Sequence, residues 1–239
     1  MKVRIAQRLR KAAKEALRRN GYDVARGINK FYRLLERYNV DLVLDVGANV
    51  GQFGSSLRDI GYTGRIVSFE PLAGAYAQLA AEAQNDPFWD TQNIGLADYD
   101  GTGLINRSKR TVFSSLAGVN STATRVYEGA AVVAQEQIEV RRLESVFSDV
   151  RRDSRAVLLK SDTQGFEKQV LQGASGCLTE IAGLHLELSY EPLYEGELMF
   201  DAMVQYVRGL GFELLFLEPL LHRETNRILQ GNGTFFRLR

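Results

Sequence analysis

The eleven residues Val43 to Phe53, reading Val-Leu-Asp-Val-Gly-Ala-Asn-Val-Gly-Gln-Phe, constrain this chain more than any others. An apolar run from Leu42 to Val46 holds a single carboxylate, Asp45. The chain then turns on Gly47 and Gly51 and enters a segment of helical character, Gln52 to Ile60. A buried strand, a glycine turn and a helix make the first half of a nucleotide-binding βαβ unit. Its glycines admit a ligand close to the backbone, and the helix start offers free N–H groups.

The spacing disfavours a dinucleotide. The G-x-G-x-x-G fingerprint needs a middle glycine to make room for pyrophosphate, and Asn49 occupies that position here. Asp45, just before the turn, would repel a pyrophosphate but could pair with an ammonium group. The next apolar run, Arg65 to Phe69, leads to Glu70 and Pro71, about 20 residues after the glycines, where an acid can grip two ribose hydroxyls. A ligand with an ammonium, a sulfonium and no phosphate, S-adenosylmethionine, meets these conditions. Against this stands the plainer reading of two loop carboxylates beside turn-forming glycines.

From Leu42 onward strands and helices alternate as in a doubly wound α/β fold. Strands are expected at 42–46, 65–69 and 91–98, with helices at about 52–60 and 72–85. Residues 103–142 hold β-prone pieces (104–106, 112–116, 138–141) and no strong helix; they read as an insertion that could cover an acceptor pocket. The run from Ala156 through Lys160 and Asp162 to Gly165 is again a strand and a glycine turn, followed by a helix. Parallel sheets place their chemistry at the carboxyl ends of strands, so Asp162 is expected to face the same crevice as Asp45 and Glu70. It could serve as general base, metal ligand or ammonium partner, or simply cap the helix. Lys160 could orient substrate or pair with a carboxylate.

The strand Leu184–Ser189 puts His185, Glu187 and Ser189 on one face. Glu187 is a candidate base or metal ligand; His185 reads as a core-edge histidine. A helix at about 199–210 and strands at 212–217 and 234–238 then suggest an antiparallel closing hairpin, with His222 in the loop between them.

Composition narrows the function. Of the 30 basic and 29 acidic residues, 12 and 3 fall in residues 1–40, leaving 18 and 26 on the remainder. An acidic body argues against a nucleic-acid enzyme. The basic segment reads as a helix over 2–19, followed by a second helical stretch from Ile28 to Tyr38. The first helix packs on the body or docks on an anionic membrane surface or partner. The lone cysteine, Cys177, reads as a buried structural thiol in a reducing compartment, and without a signal-peptide core a cytoplasmic location is expected.

Taken in order, the strings DVGANVGQF (45–53), FEP (69–71), NIGLAD (93–98), SSL (114–116), LKSDTQGFEKQVLQGA (159–174) and LELSYEPLYEG (186–196) resemble the FkbM family of S-adenosylmethionine-dependent methyltransferases. Ser161, where that family usually has an aliphatic residue, is a mild departure. The resemblance covers about residues 40–238 and leaves the first 40 without an account. It implies a class I methyltransferase (Rossmann-like) fold: a doubly wound, mostly parallel seven-stranded sheet with an antiparallel closing hairpin, spanning 41–239 behind an N-terminal helical extension, 1–40. It implies O-methylation of a hydroxyl in a sugar, glycolipid, polysaccharide or natural product. Asp45, Gly47, Asn49 and Gly51, with Gln52 and Phe53 following, would form the methionine-side turn. Glu70 with Pro71 would hold the ribose, and Asn93, Ala97 and Asp98 would lie near the adenine. Asp162 would stand beside the transferable methyl, with Glu187 and Lys160 as further catalytic candidates. A divalent cation, if used, would be ligated by Asp162 and Glu187. Alternatives from the same residues are N- or carboxyl-methylation of a small metabolite, an NAD-dependent oxidoreductase, or a non-catalytic S-adenosylmethionine-binding module. Peripheral membrane contact through the first helix and a homodimer stay open.

Overall fold

A computed structural model of the chain describes residues 30–222 and 226–238. The helix expected over 2–19 lies outside the described residues. Of the second helical stretch, α1 (Lys30–Arg37) is seen, burying Phe31 and Leu35.

The body is a seven-stranded sheet made of β1 (Leu42–Val46), β2 (Arg65–Phe69), β3 (Trp89–Gln92), β7 (Val157–Ser161), β8 (Ile181–Ser189), β9 (Glu213–Leu221) and β10 (Ile228–Phe236). Their order across the sheet is β3-β2-β1-β7-β8-β10-β9. Every pairing is parallel except those of β10, which runs antiparallel to both β8 and β9. Helices α2 (Gln52–Asp59) and α3 (Ala73–Ala83) make the first two crossovers, α6 (Glu167–Gln172) links β7 to β8, and α7 (Phe200–Gly209) links β8 to β9.

β1 is central because its sequence permits burial on both sides. Leu42, Leu44 and Val46 enter one apolar cluster, with Phe69, Leu159, Leu186 and Phe235. Val43 enters the other, beneath α1, with Leu57, Ile66, Leu79, Trp89 and Leu158. Each such side chain contributes on the order of 1.5–3 kcal/mol when fully buried. Asp45 shares the parity of Val43 and is nevertheless fully buried. Its register neighbours are Ser68 on β2 and Lys160 on β7, and both become its partners.

Four expectations need correction. The strand foreseen at 91–98 is two strands in different sheets: β3, and β4 (Gly95–Leu96), which pairs with β6 (Val132–Arg141). Between them Asn93 donates its side-chain amide to the carbonyls of Glu70 (2.8 Å) and Pro71 (3.1 Å), and β4 continues in the second sheet. The insertion is a three-stranded sheet of β4, β6 and β5 (Gly101–Ser108), and it carries a helix, α4 (Ser121–Val126), where none was expected. Residues 112–116 form a 3-10 turn (Thr111–Phe113) and an extended piece bridged to Asn106 rather than a strand. The closing hairpin is longer than foreseen, since Pro219 and the polar stretch Gln230-Gly-Asn-Gly233 still pair across it. A further helix, α5 (Leu143–Arg151), buries Leu143, Phe147 and Val150 against the sheet.

Candidate active site

A cavity of about 270 Å³ opens at the carboxyl ends of β1, β2 and β7, roofed by the insertion. Gly47 makes its floor possible. The residue has φ +73°, and a Cβ there would lie 2.0 Å from the carbonyl oxygen of Asp162, so the β1 and β7 turns touch backbone to backbone. The N–H groups of Gly47 and Ala48 both reach the Phe69 carbonyl at 3.1 Å, which ties the same turn to β2.

Glu70 closes the β2 side. One carboxylate oxygen accepts the Asn49 N–H (2.8 Å) and the other the Leu72 N–H (2.9 Å). Burial pushes its pKa up to about 7, against the pull of those two donors. Around it the wall is apolar: Leu72, Ile94, Leu96, Ile105, Leu116 and Phe166 face the same space.

On the β7 side Lys160 is buried and fully engaged. Its ammonium pairs with Asp45 at 2.9 Å, donates to the carbonyls of Val46 (3.2 Å) and Gly47 (3.1 Å), and stands 3.9 Å from Asp162. Burial works against its charge, yet Asp45 and then Asp162 hold its pKa above the ordinary lysine value. Asp45 also accepts from Ser68 (3.0 Å), whose hydroxyl takes the Trp89 indole N–H (3.0 Å). This chain of contacts is internal to the floor. Asp162 is the accessible member, its side chain 38% exposed, and it faces the cavity.

Behind Asp162 lies Glu187, whose pKa is raised well above the carboxylate range by burial and by the nearby Asp162 and Glu167. Glu167, bonded by Thr163 through both its N–H (2.8 Å) and hydroxyl (3.1 Å), is pushed up to about 7, mainly by burial. His185 stacks on Phe53, pairs with the Thr234 hydroxyl at 2.8 Å, and has its pKa lowered to about 3 by burial and then Lys160. It is therefore a neutral wall residue.

The cavity thus gathers Gly47, Asn49, Gln52, Phe53, Glu70, Pro71, Lys160 and Asp162 from the sequence candidates. Asp45 lies beneath the floor, and Glu187 is reached through Gln164. Gly51, at φ +94°, shapes the turn into α2, and Asn93 braces the Glu70–Pro71 backbone. Ala97 is buried with its N–H on the Arg141 carbonyl, and Asp98 is exposed beyond the cavity. His222 contacts the Val126 carbonyl and the Tyr127 ring, away from this wall. Sequence reasoning missed Gln164 and Asn232, both on the wall. Gln164 had a signal in its place between Asp162 and Gly165; Asn232, in a glycine-flanked strand, had none. Among the described residues no group of three or more His, Cys, Asp or Glu side chains could hold a metal ion. Asp162 and Glu187 share the Gln164 amide instead.

A mostly parallel seven-stranded sheet whose only antiparallel strand is inserted next to its edge, with a ligand cavity at the first glycine turn, defines a class I methyltransferase fold. Residues 45–214 match the family model for the methyltransferase FkbM domain, and the chain belongs to that family of S-adenosylmethionine-dependent enzymes. A curated relative, the AMB antimetabolite synthetase AmbE of Pseudomonas aeruginosa, is 26% identical over 215 residues. That match takes in 78% of this chain but 10% of the synthetase, so the chain spans about a tenth of its relative. Among solved structures, an rRNA methylase from Streptococcus thermophilus overlaps with TM-score 0.49 at 14% identity, over 91% of this chain and 100% of that one. The magnesium protoporphyrin IX methyltransferase of Synechocystis PCC 6803, solved with bound SAM, gives 0.47 at 11% identity over 87% and 76%. At such scores these overlaps add nothing to the strand order.

The residues present fit S-adenosylmethionine. Gly47 lets the β1 and β7 turns meet backbone to backbone at the cavity floor, an acid follows β2 where hydroxyl donors can be met, and apolar walls flank it.

Proposed function

We propose that this chain transfers a methyl group to a hydroxyl of a sugar, glycolipid, polysaccharide or hydroxylated natural product, with Asp162 as general base. The observation that carries the reading is the exposure of Asp162, the accessible carboxylate of the β7 turn, on the cavity wall beside the Gly47 turn. The glycine turn and Asn49 would hold the methionine part of the cofactor, Glu70 the ribose hydroxyls, and the walls around Leu72 and Ile94 the adenine. When bound, S-adenosylmethionine supplies an electrophilic methyl on a sulfonium centre.

The protein's part is alignment and proton removal. Lys160 and Asp45 fix the floor rather than touch the acceptor. Asp162 would accept the hydroxyl proton as the methyl passes to the acceptor oxygen and its bond to sulfur breaks, the neutral thioether leaving, a task worth typically 10²–10⁴-fold in rate. The insertion that roofs the cavity would contact the acceptor. The antimetabolite synthetase among the relatives supports a small natural product within this class, and the acidic body supports a neutral or cationic acceptor over nucleic acid.

The test is methyl transfer from labelled S-adenosylmethionine to a panel of sugars, polyols, glycolipids, amines and carboxylic acids, read by mass spectrometry. A hydroxyl product whose formation falls at least about 100-fold in Asp162→Asn is expected. Methylation of amines or carboxylates alone, or full turnover by Asp162→Asn, would overturn the proposal.

A further inference from the structure

Gln164 follows Asp162 by two residues and adopts φ +56°, a conformation rarely taken by residues other than glycine. Its backbone carbonyl accepts the Ser115 hydroxyl at 2.7 Å, so the insertion pins it from above. Its side-chain N–H₂ donates to Asp162 Oδ1 and to Glu187 Oε2, both at 2.7 Å. Its side-chain oxygen accepts the Tyr194 hydroxyl at 2.5 Å. Tyr194 comes from the loop after β8, where the Glu197 carboxylate accepts its N–H (2.8 Å) and that of Leu193. The ring packs over Gly165, where a Cβ would come within 2.4 Å of Tyr194 Cβ.

An amide has two hydrogens on one side and only lone pairs on the other. Tyr194 donates to the lone pairs, which leaves both hydrogens for the two carboxylates. Flipping the amide would turn its oxygen toward Asp162 and leave the tyrosine hydroxyl facing a donor. The acceptor oxygens of Asp162, in the same turn, and of Glu187, on β8, therefore set the orientation, and the Tyr194 hydroxyl, able to donate or accept, completes it from the loop after β8.

We infer that Gln164, locked by Tyr194, is a positioning residue that holds Asp162 as an aimed hydrogen-bond acceptor toward the cavity while separating it from Glu187. The inference rests on the base role proposed for Asp162. The charged and titratable groups facing this cluster are Lys160 with Asp45 behind it, Tyr127 of the insertion, Glu167 on α6, Glu187 and neutral His185 on β8, and Tyr194 and Glu197 on the following loop. Gln164 is the only neutral side chain hydrogen-bonded to both Asp162 and Glu187 among the described residues.

The test follows the Asp162 carboxyl directly by ¹³C NMR in aspartate-labelled protein, its signal assigned by loss in Asp162→Asn. Gln164→Glu sets an acceptor against two carboxylates, and the Asp162 titration midpoint is expected to rise by about one pH unit, a tenfold change in its ionised fraction near the midpoint. Tyr194→Phe frees the amide, and a smaller rise is expected. In Tyr194→Phe, affinity for S-adenosylhomocysteine should stay within about threefold of wild type, since Tyr194 does not line the cavity. An unchanged midpoint in both variants overturns the inference, and so does a rise with Gln164→Glu alone, which would report added charge without a lock. If Gln164→Glu does not fold, Tyr194→Phe decides alone: a rise supports the lock and no change overturns it. Turnover by Asp162→Asn is read separately. An inactive Asp162→Asn with unchanged midpoints removes the clamp and leaves the base, whereas an active one removes the base.

Discussion

Replacing Gly47 with alanine sets two costs against the fold at one point. The native φ of +73° is left-handed, which costs a residue with a Cβ roughly 1–2 kcal/mol. The added carbon would lie 2.0 Å from the Asp162 carbonyl oxygen, which belongs to backbone and cannot rotate away. The β1 and β7 turns must separate, and forced overpacking of this kind costs typically 1–3 kcal/mol more. The total, about 3 kcal/mol, should lower the melting temperature by roughly 6–12 °C, at 2–4 °C per kcal/mol for a chain of this size. Separation also breaks the cradle, so S-adenosylhomocysteine affinity should fall by more than stability alone explains. Gly74→Ala is the control: it lies in α3 with nothing within 4 Å of the added carbon, and should stabilise by about 0.5–1 kcal/mol. Thermal denaturation and calorimetric titration of both variants provide the assay. Wild-type melting and affinity in Gly47→Ala would refute the claim that the two turns are in contact.

Lys160→Met should destabilise by about 3–5 kcal/mol, because it strands the fully buried Asp45 carboxylate; adding Asp45→Asn should recover much of the loss, as urea denaturation of the two variants would show. Glu70 and Glu167 both have folded pKa values raised from 4.5 to about 7, so each contributes stability that is complete below about pH 4.5 and lost as pH rises through about 7. The urea midpoint should therefore fall between pH 5 and 7.5 in wild type and fall less in Glu70→Gln or Glu167→Gln; an equal slope in all three would reject it. Cys177 is buried with its pKa pushed up to about 12, first by burial, so iodoacetamide should leave it unmodified in the native protein and alkylate it after denaturation, as mass spectrometry would record.

How much of this could be read from the sequence depends on how local each determinant is. The strands β1, β2 and β7 are short apolar runs buried on both faces, and their glycine turns announce themselves. The second sheet was harder. In β6 only Ile138 and Val140 are buried, and the alternating Gln and Glu look like a loop. Helix α5 carries a usable signal, Leu143, Phe147 and Val150 at helical spacing, but it is short and abuts the insertion, so its pattern spans little more than two turns. In the site, Glu70 and Asp162 stand on the cavity wall where strand-end reasoning put them. Asp45 reads from sequence as an acid facing a ligand. Its burial depends on Lys160 being its register neighbour across two parallel strands, which no local pattern encodes. Gln164 needs Ser115 to hold its backbone and Tyr194 to meet its side chain, both from distant segments, and Asn232 is placed by the β8–β10 pairing that sets it opposite Glu187.

The central claim is that the glycine turn and Glu70 make a pocket for S-adenosylmethionine. Calorimetric titration of the purified protein with S-adenosylhomocysteine, with NAD as the comparison ligand, tests it most directly. Binding of S-adenosylhomocysteine alone, weakened at least about tenfold by Glu70→Ala, is the predicted result. Preference for NAD, or S-adenosylhomocysteine binding that Glu70→Ala leaves untouched, would contradict it.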